Sequence, residues 1–488
     1  MGRPAAVAAF LLLALVFTPA TAAWAKERPP TRIWDPQIEP IAHAVSRIRG
    51  LGFTHPVTVN FVAPRRFEVQ AADGAAALSS DDRRWFRDEA ARLRALGLIP
   101  AGVDLAKATT ALARSSELAY YDPGQEEIFV KGAKLDVSTR VTVAHELTHA
   151  LDDQNFGLDH VDSRIHDSVS DLAVASLVEG DAEWVMLRYA ASLTGPERRA
   201  YTANGRKLNA ELSNRLVGAH IPSILDVAGA APYTYGALMI DAVRARGGQP
   251  ALDRMFRRPP TDDRSVLAVE HPAAQRHTLA APPVPTAERR VLQKDRLGSV
   301  GLYHVLVSRL DPLTALHAAA GRDDDRMLVT RRADGVACVH LTITARTAGD
   351  RARLVDALTA WSAAGTPGAA AVATSADPTP AGGDPVEFTA CDEPGASAPP
   401  NFTPPAVLVM LRSEVVIAGL RRHAAGPMIE CVADHLLADP AVRDALPAQL
   451  TDEGSSSIGL RAAVKAGAAA AQQACGVLLT PRSIGRAA

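Results

Sequence analysis

Two segments in the first half of the chain repeat their apolar residues at helical spacing. In Thr139–Leu151 the apolar residues at this spacing include Val141, Ala144, Leu147, Ala150 and Leu151. In Ser168–Ala191 they include Leu172, Val174, Ala175, Val178, Ala182, Val185, Met186 and Tyr189. Residues three and four apart share one face of a helix, so this spacing predicts two helices that each bury a face. Further helices are predicted at 36–50, 80–96, 196–216, 222–228, 233–246 and 250–257.

Two strand patterns precede the first of these helices. Val57, Val59 and Phe61 alternate with other residues, which predicts a strand at 56–62. The segment Glu117–Lys131 has apolar stretches on both sides of the turn residues Asp122-Pro123-Gly124, which predicts a hairpin.

The pattern changes after the linker AAPPVP at 280–285. Beyond it we predict strands at 327–330, 337–344, 385–390 and 406–418, helices at 350–363 and 427–437, and loops at 364–384 and 392–405. The expected fold class is therefore α+β. A mostly helical domain with a small N-terminal sheet would occupy 26–285, and a smaller α+β accessory domain 286–488.

Residues 1–25 predict a secretory signal peptide. Arg3 supplies the positive charge, Ala5–Phe17 is apolar, and Ala23-Trp24-Ala25 has the small-x-small form of a cleavage site. The apolar run is too short for a comfortable membrane span, with an uncleaved anchor as the alternative. The formal net charge of -2 gives no electrostatic reason to expect a nucleic-acid partner. We expect a mature chain outside the cytoplasm, without a stable membrane span.

All four cysteines lie late in the chain, at Cys338, Cys391, Cys431 and Cys475. An even number in an exported protein suggests disulfides. Three pairings are possible, and we favour Cys338–Cys391 with Cys431–Cys475; buried free thiols are the alternative. The wide spacing, without a CxxC pair, argues against a cysteine-based zinc site.

The first predicted helix carries His145, Glu146 and His149 in the pattern HExxH. Residues four apart on a helix lie about 6 Å apart at Cβ, so the two imidazoles could share one metal ion. Glu146 stands where a carboxylate can reach a water on that metal. Zinc hydrolysis needs these parts: nitrogen ligands, an open coordination position and a base. A polar surface helix is the alternative, but the apolar background argues against it.

Such a zinc site needs a third protein ligand. The metzincin pattern HExxHxxGxxH is excluded, because Asp152 and Asn155 stand where it requires glycine and histidine. Glu179 in the second predicted helix is the favoured candidate, since a buried glutamate needs a metal or an arginine. His160 and His166, in the connecting loop, are the alternatives.

Acidic residues close to Glu179 could support the site. Glu183 lies four residues later on the same helical face, where it could orient a ligand histidine, and Asp181 and Asp152 are rivals for that role. Gly180 would let another backbone, or the first helix, approach closely.

The segments HELTHALDDQNF and LVEGDAEW resemble the zincin metallopeptidases of the gluzincin type. In that family the HExxH helix supplies two zinc ligands and a glutamate on a later helix the third. The resemblance implies that His145, His149 and Glu179 bind one zinc ion and that Glu146 is the general base, in an enzyme that hydrolyses peptide or protein substrates. From about 50 through 271, and more weakly to about 364, the chain also resembles a group of exported bacterial proteins with predicted peptidase activity.

The resemblance also implies roles beyond the metal ligands. A hydrolase of this type needs a donor for the oxyanion that develops during water attack. Tyr233, Tyr235 and His271 resemble recurring positions in the related exported proteins, and we predict Tyr235 and His271 as catalytic residues. In zincins the strand before the HExxH helix borders the cleft and pairs with an extended substrate. Glu127–Lys131 would be that edge, with an ordinary covered hairpin as the alternative.

Two other functions stay open from the sequence. One is a zinc amidase acting on cell-wall material, and the other is a secreted binding protein with a structural zinc site. The intact HExxH favours an enzyme, because a purely structural site has no need of Glu146. The sequence fixes no oligomeric state.

Overall fold

A computed structural model describes residues 33–67, 79–116, 118–218, 221–271, 279–285, 288–374, 384–392, 406–422, 426–445 and 456–476. The predicted signal peptide at 1–25 lies outside these residues. The described residues form two compact units that alternate along the chain. The first comprises the described residues of 33–93, 99–237 and 255–259, and the second comprises those of 94–98, 238–254 and 260 onward. The predicted boundaries at 25/26 and 285/286 stay predictions.

The first half of the chain is mostly helical. Its elements are, in order, α1 (Glu39–Arg49), β1 (Thr58–Val62), α2 (Ser80–Ala95), α3 (Leu105–Ser116), β2 (Ala119–Asp122), β3 (Glu127–Lys131), α4 (Val137–Phe156), α5 (Leu158–Asp162), α6 (Ser168–Ser192), α7 (Gly195–Gly218), α8 (Ser223–Arg257) and α9 (Arg264–Leu267). The helices predicted at 139–151 and 168–191 are confirmed as α4 and α6. Non-helical backbone at Gly247 and Gly248 interrupts α8, between the helices predicted at 233–246 and 250–257.

The three-stranded sheet of the first unit has the order β1-β3-β2. β3 pairs in parallel with β1 and antiparallel with β2, so it is the central strand. The prediction that Glu127–Lys131 forms the open edge of the cleft is therefore wrong. The hairpin was predicted correctly, but β3 also pairs in parallel with the distant β1. Both edges of β3 are therefore hydrogen-bonded to other strands.

Helices α4 and α6 are bounded by polar caps and buried along most of their length. The Asp136 side chain accepts a hydrogen bond from the Thr139 N–H at the start of α4, and α4 ends at Gly157 with a φ of 72°. Asp167 and Ser170 form a reciprocal capping box at the start of α6. Every residue from 143 to 152 is buried, and α4 packs against α6. The polar side chains on the facing sides of these helices therefore lie in a largely buried interior.

The second half of the chain combines a sheet with helices. Its elements are β4 (Glu288–Asp295), α10 (Gly298–Val307), α11 (Pro312–Ala320), β5 (Arg322–Arg332), β6 (Ala337–Ala345), α12 (Ala348–Ala363), β7 (Ala370–Thr374), β8 (Val386–Cys391), α13 (Ala406–Leu420), α14 (Gly426–Ala438), α15 (Pro440–Ala445) and α16 (Ser456–Cys475). The five strands are antiparallel in the order β4-β5-β6-β8-β7. Separate helices and sheets confirm the predicted α+β class. No helix in the described part of the chain has the length and apolarity that a membrane span requires.

Both favoured disulfides are present. Cys338 and Cys391 are direct partners on β6 and β8, and Cys431 joins α14 to Cys475 at the end of α16. Two predictions in this half are wrong. The segment 406–418, predicted as a strand, is helix α13, and strand β7 at Ala370–Thr374 lies inside the predicted loop at 364–384.

Candidate metal centre

The two histidines of HExxH point their Nε2 atoms at one spot. His145 and His149 lie one turn apart on α4 and are 8% and 7% exposed. Their Nε2 atoms are 3.1 Å apart. Neither Nδ1 atom has a hydrogen-bond partner among the described residues. The Nδ1 atom of His145 is 3.9 Å from the Glu183 carboxylate. Three acidic residues were candidates for orienting a ligand histidine, and Glu183 is the one that lies beside such a histidine. Asp152 and Asp181 instead form ion pairs with Arg49.

Glu179 on α6 completes a triangle with the two imidazoles. Its Oε2 atom lies 3.2 Å from His145 Nε2 and 3.4 Å from His149 Nε2. Burial alone would lower the pKa of His149, but the Glu179 carboxylate outweighs it and raises that pKa to about 9. Burial would raise the pKa of Glu179, and the two imidazoles instead hold it below its ordinary value. The three groups are thus electrostatically interdependent.

The triangle has the dimensions of a tetrahedral metal site. A metal with bonds of about 2.0–2.1 Å to nitrogen or oxygen separates neighbouring ligand atoms by about 3.3 Å in tetrahedral geometry. The three observed separations are 3.1, 3.2 and 3.4 Å. If both imidazoles donate a hydrogen bond to Glu179, the two Nε2 atoms still face each other at 3.1 Å without a bond between them, whereas one cation would contact all three ligand atoms. Two imidazole nitrogens and one carboxylate oxygen are ligand types that zinc accepts.

The alternative third ligands are not part of this triangle. His160 is exposed, with Nε2 3.4 Å from the Arg257 carbonyl oxygen. His166, just before α6, is not among the clustered ligand atoms of the described residues. The geometry thus favours Glu179 over His160 and His166.

Two other clusters of ligand-type residues occur in the described chain, and neither matches this one. Cys431 and Cys475 lie beside His435, but their sulfurs are joined in a disulfide. Glu270, His271 and Glu430 cluster in the second unit. There the His271 Nε2 atom accepts a hydrogen bond from Arg346 at 2.5 Å, and Arg412 donates to Glu270 at 2.6 Å. The His271 nitrogen and the Glu270 carboxylate, which a cation would need as ligands, thus already bind arginine side chains.

Glu146 lies next to the first histidine and is 6% exposed. Burial raises the pKa of its carboxyl above the ordinary value, although the imidazoles of His145 and His149 act in the opposite direction. The backbone N–H of Tyr121 donates a hydrogen bond to this carboxylate. The Tyr121 hydroxyl donates to Asp153 Oδ2 at 2.8 Å. Tyr121 on β2 therefore contacts α4 through both its backbone and its side chain.

The edge of β2 that does not pair with β3 faces Glu146. The Lys131 N–H donates to the Leu118 carbonyl oxygen at 2.9 Å, which fixes the phase of the hydrogen bonds between β2 and β3. In the alternating antiparallel pattern, the backbone groups of Ala119 and Tyr121 then turn away from β3. The Tyr121 N–H meets Glu146 on that side, so β2, not β3, is the strand edge next to this carboxylate.

The three candidate oxyanion donors occupy different surroundings. The Tyr233 ring stacks on the His145 ring with 5.9 Å between centroids, and its hydroxyl donates to Glu179. Tyr235 is buried, and its hydroxyl has no partner among the described residues. His271 belongs to the second unit, where burial lowers its pKa to about 4. Tyr233 is the candidate that the fold places against the ligand cluster, and the catalytic roles predicted for Tyr235 and His271 stay predictions.

Tyr233 reaches the cluster because α6 and α8 touch through their backbones. A Cβ atom on Gly180 would lie 2.4 Å from the Gly236 carbonyl carbon, and a Cβ on Gly236 would lie 2.5 Å from the Ser176 oxygen. The prediction that Gly180 admits another backbone is confirmed, and that backbone belongs to α8. Glycine at both positions lets Tyr233, three residues before Gly236, approach Glu179.

The sequence analysis did not identify two residues that contribute to the site, Arg49 and Tyr121. Arg49 continues the buried face of α1 formed by Ile41, Ala42 and Val45, so helical spacing could have flagged a charge inside an apolar stripe. The role of the Tyr121 backbone has no counterpart in the sequence, because it depends on which side of β2 faces α4.

Comparisons with known proteins found no relative of this chain. No protein-family model, no curated protein and no solved structure matches the chain. The gluzincin resemblance therefore rests on the HELTH and LVEGDAEW segments and remains a prediction.

Proposed function

We propose that the protein is an exported zinc-dependent metallopeptidase. The observation that carries the proposal is the triangle of His145 Nε2, His149 Nε2 and Glu179 Oε2, with sides of 3.1 to 3.4 Å, beside the buried Glu146 carboxylate. The two disulfides are consistent with an oxidising compartment outside the cytoplasm.

A zinc ion held by these three residues would act as a Lewis acid, polarising a substrate carbonyl and bringing the pKa of a water ligand to about 7. The chain itself supplies the proton transfers. Glu146 would accept a proton from the attacking water and deliver it to the leaving amine. Its raised pKa suits both steps, and the Tyr121 N–H donates a hydrogen bond to this carboxylate. The Tyr233 hydroxyl, already against the cluster, would donate to the developing oxyanion.

Substrate would bind along β2. The outward-facing backbone groups of Ala119 can pair with an extended peptide, as in other cases where a strand is added to a sheet edge. Such pairing reads the backbone rather than particular side chains, which favours peptide bonds over bonds in unrelated polymers. The zinc amidase remains a test outcome, and so does the binding protein with a structural zinc site.

The test combines metal content with hydrolysis of a substrate panel: an unfolded protein, a folded protein and cell-wall peptidoglycan. We expect one zinc per chain and cleavage of the unfolded protein. Glu146→Gln should retain zinc and lose at least about 100-fold in turnover, whereas Glu211→Gln, an exposed position on α7, should match the wild type. Full activity of Glu146→Gln would contradict the mechanism. Cleavage of peptidoglycan alone would indicate the amidase, and bound zinc without any hydrolysis would indicate the binding protein.

A further inference from the structure

Arg49, the last residue of α1, carries a charge into the interior of the first unit. Its side chain is fully buried, and a guanidinium stays protonated in proteins. Burying a charge is expensive unless it is paired and hydrogen-bonded. The partners that Arg49 finds are therefore informative about what holds this part of the fold in place.

The guanidinium connects the two helices that carry the ligand triangle. Its Nε atom donates to Asp181 on α6, and its Nη2 atom lies 3.2 Å from Asp152 on α4. Both carboxyl groups are fully buried and hydrogen-bonded to each other, and burial with the neighbouring Asp181 raises the pKa of Asp152 although Arg49 acts in the opposite direction. The rings of Phe156 and Phe256 flank the guanidinium, with centroids 5.7 and 5.3 Å from its central carbon. Aromatic faces and two carboxylates together fix its position.

The two carboxylates lie close to the ligands along each helix. Asp152 follows His149 by three residues, about 4.5 Å along the axis of α4, and Asp181 follows Glu179 by two residues, about 3 Å along α6. Within one helical turn the backbone is effectively rigid. A shift of Asp152 relative to Asp181 therefore becomes a similar shift of His149 relative to Glu179, whose ligand atoms are 3.4 Å apart.

We propose that Arg49 is a positioning residue that sets the separation of α4 and α6 and thereby the geometry of the metal centre. This inference rests on the proposed function, since it concerns the same His145, His149 and Glu179 triangle. A buried ion network of this kind contributes little net stability compared with apolar residues of similar volume. Its contribution here is a defined distance between two helices.

The test uses the full mature chain loaded with Co²⁺, whose visible spectrum reports the geometry of its ligands. Zinc affinity is measured in parallel by competition with a chromophoric chelator. We expect Arg49→Met to alter the cobalt spectrum and weaken zinc binding by about 10- to 100-fold, the range found when residues supporting metal ligands are removed. Arg49→Lys should recover only part of this loss, because an ammonium cannot bridge two carboxylates as a planar fork does. Arg92→Met is the matched control: Arg92 is also buried, and it pairs with Glu89 on its own helix α2. It should lose stability but leave the spectrum and zinc affinity unchanged.

A second variant keeps the test decisive if Arg49→Met does not fold. The triple variant Arg49→Met, Asp152→Leu, Asp181→Leu replaces the whole network with apolar residues, and such replacements are often neutral or stabilising. We expect it to fold and still show the altered spectrum and weakened zinc binding. A wild-type spectrum and affinity in this variant would overturn the positioning role while leaving the metal site intact. Failure of the wild-type protein to bind either metal would instead overturn the proposed function.

Discussion

Gly180→Ala should force apart the two helices that bring Tyr233 to the ligand cluster. The added Cβ would lie 2.4 Å from the Gly236 carbonyl carbon, and ordinary contacts begin near 3.4 Å. The backbones of α6 and α8 must therefore separate by about 1 Å. The three atoms nearest to the added Cβ all belong to the Gly236 backbone, so no side-chain movement can relieve the strain.

The expected cost follows from two opposing effects. Alanine is the better helix former by about 1 kcal/mol, but overpacking a filled interior costs about 1–3 kcal/mol and more when backbone must move. We expect a net loss of about 2 kcal/mol in the free energy of unfolding. Gly205→Ala is the matched control, because Gly205 lies inside helix α7 with nothing within 4 Å of its added Cβ. It should gain about 0.5–1 kcal/mol.

Urea unfolding of the two variants beside the wild type measures both free energies. The Gly180→Ala midpoint should fall and the Gly205→Ala midpoint should rise. If Gly180→Ala were as stable as Gly205→Ala, the close backbone contact between α6 and α8 would be refuted, and with it our explanation of how Tyr233 reaches Glu179.

Three further predictions concern the second unit. Asp263→Ala removes the acceptor for the Ser299 and Val300 N–H groups in the first turn of α10 and a buried ion-pair partner of Arg322, so the free energy of unfolding should fall by about 3–5 kcal/mol; a loss below about 1 kcal/mol in urea unfolding would contradict these buried contacts of Asp263. Burial lowers the pKa of His304 from 6.5 to about 4, so the folded state favours the neutral imidazole. The resulting stabilisation is complete above about pH 6.5 and is lost as the pH falls toward 4, which lowers the free energy of unfolding by about 3 kcal/mol in total. His304→Leu should flatten that part of the stability–pH curve, and an unchanged curve would rule out this assignment. Replacing Cys338 and Cys391 by alanine opens a loop of sequence separation 53 and should cost about 4 kcal/mol; an unaltered midpoint in thermal unfolding would argue against the bond.

The ligand triangle could be predicted because local patterns determine most of it. HExxH fixes two imidazoles on one helical face, and the apolar spacing of 168–191 fixes a second buried helix that carries Glu179. The favoured cysteine pairs are also observed. In each case the chemistry allowed few alternatives.

The errors come from non-local contacts and ambiguous apolar runs. Residues 406–418 are apolar almost throughout, and such a run does not distinguish a buried strand from a buried helix; its length favours the helix that is observed. Strand β7 is built from Ala370–Thr374, whose small residues give a weak strand signal. The central place of β3 depends on its pairing with β1, about 70 positions earlier in the chain, which no local pattern encodes.

The most direct test of the central claim is a crystal of the mature protein measured on both sides of the zinc absorption edge. We expect one anomalous peak per chain, within about 2.0–2.2 Å of His145 Nε2, His149 Nε2 and a Glu179 carboxylate oxygen. A zinc-supplemented crystal with no anomalous peak among these three residues would contradict it.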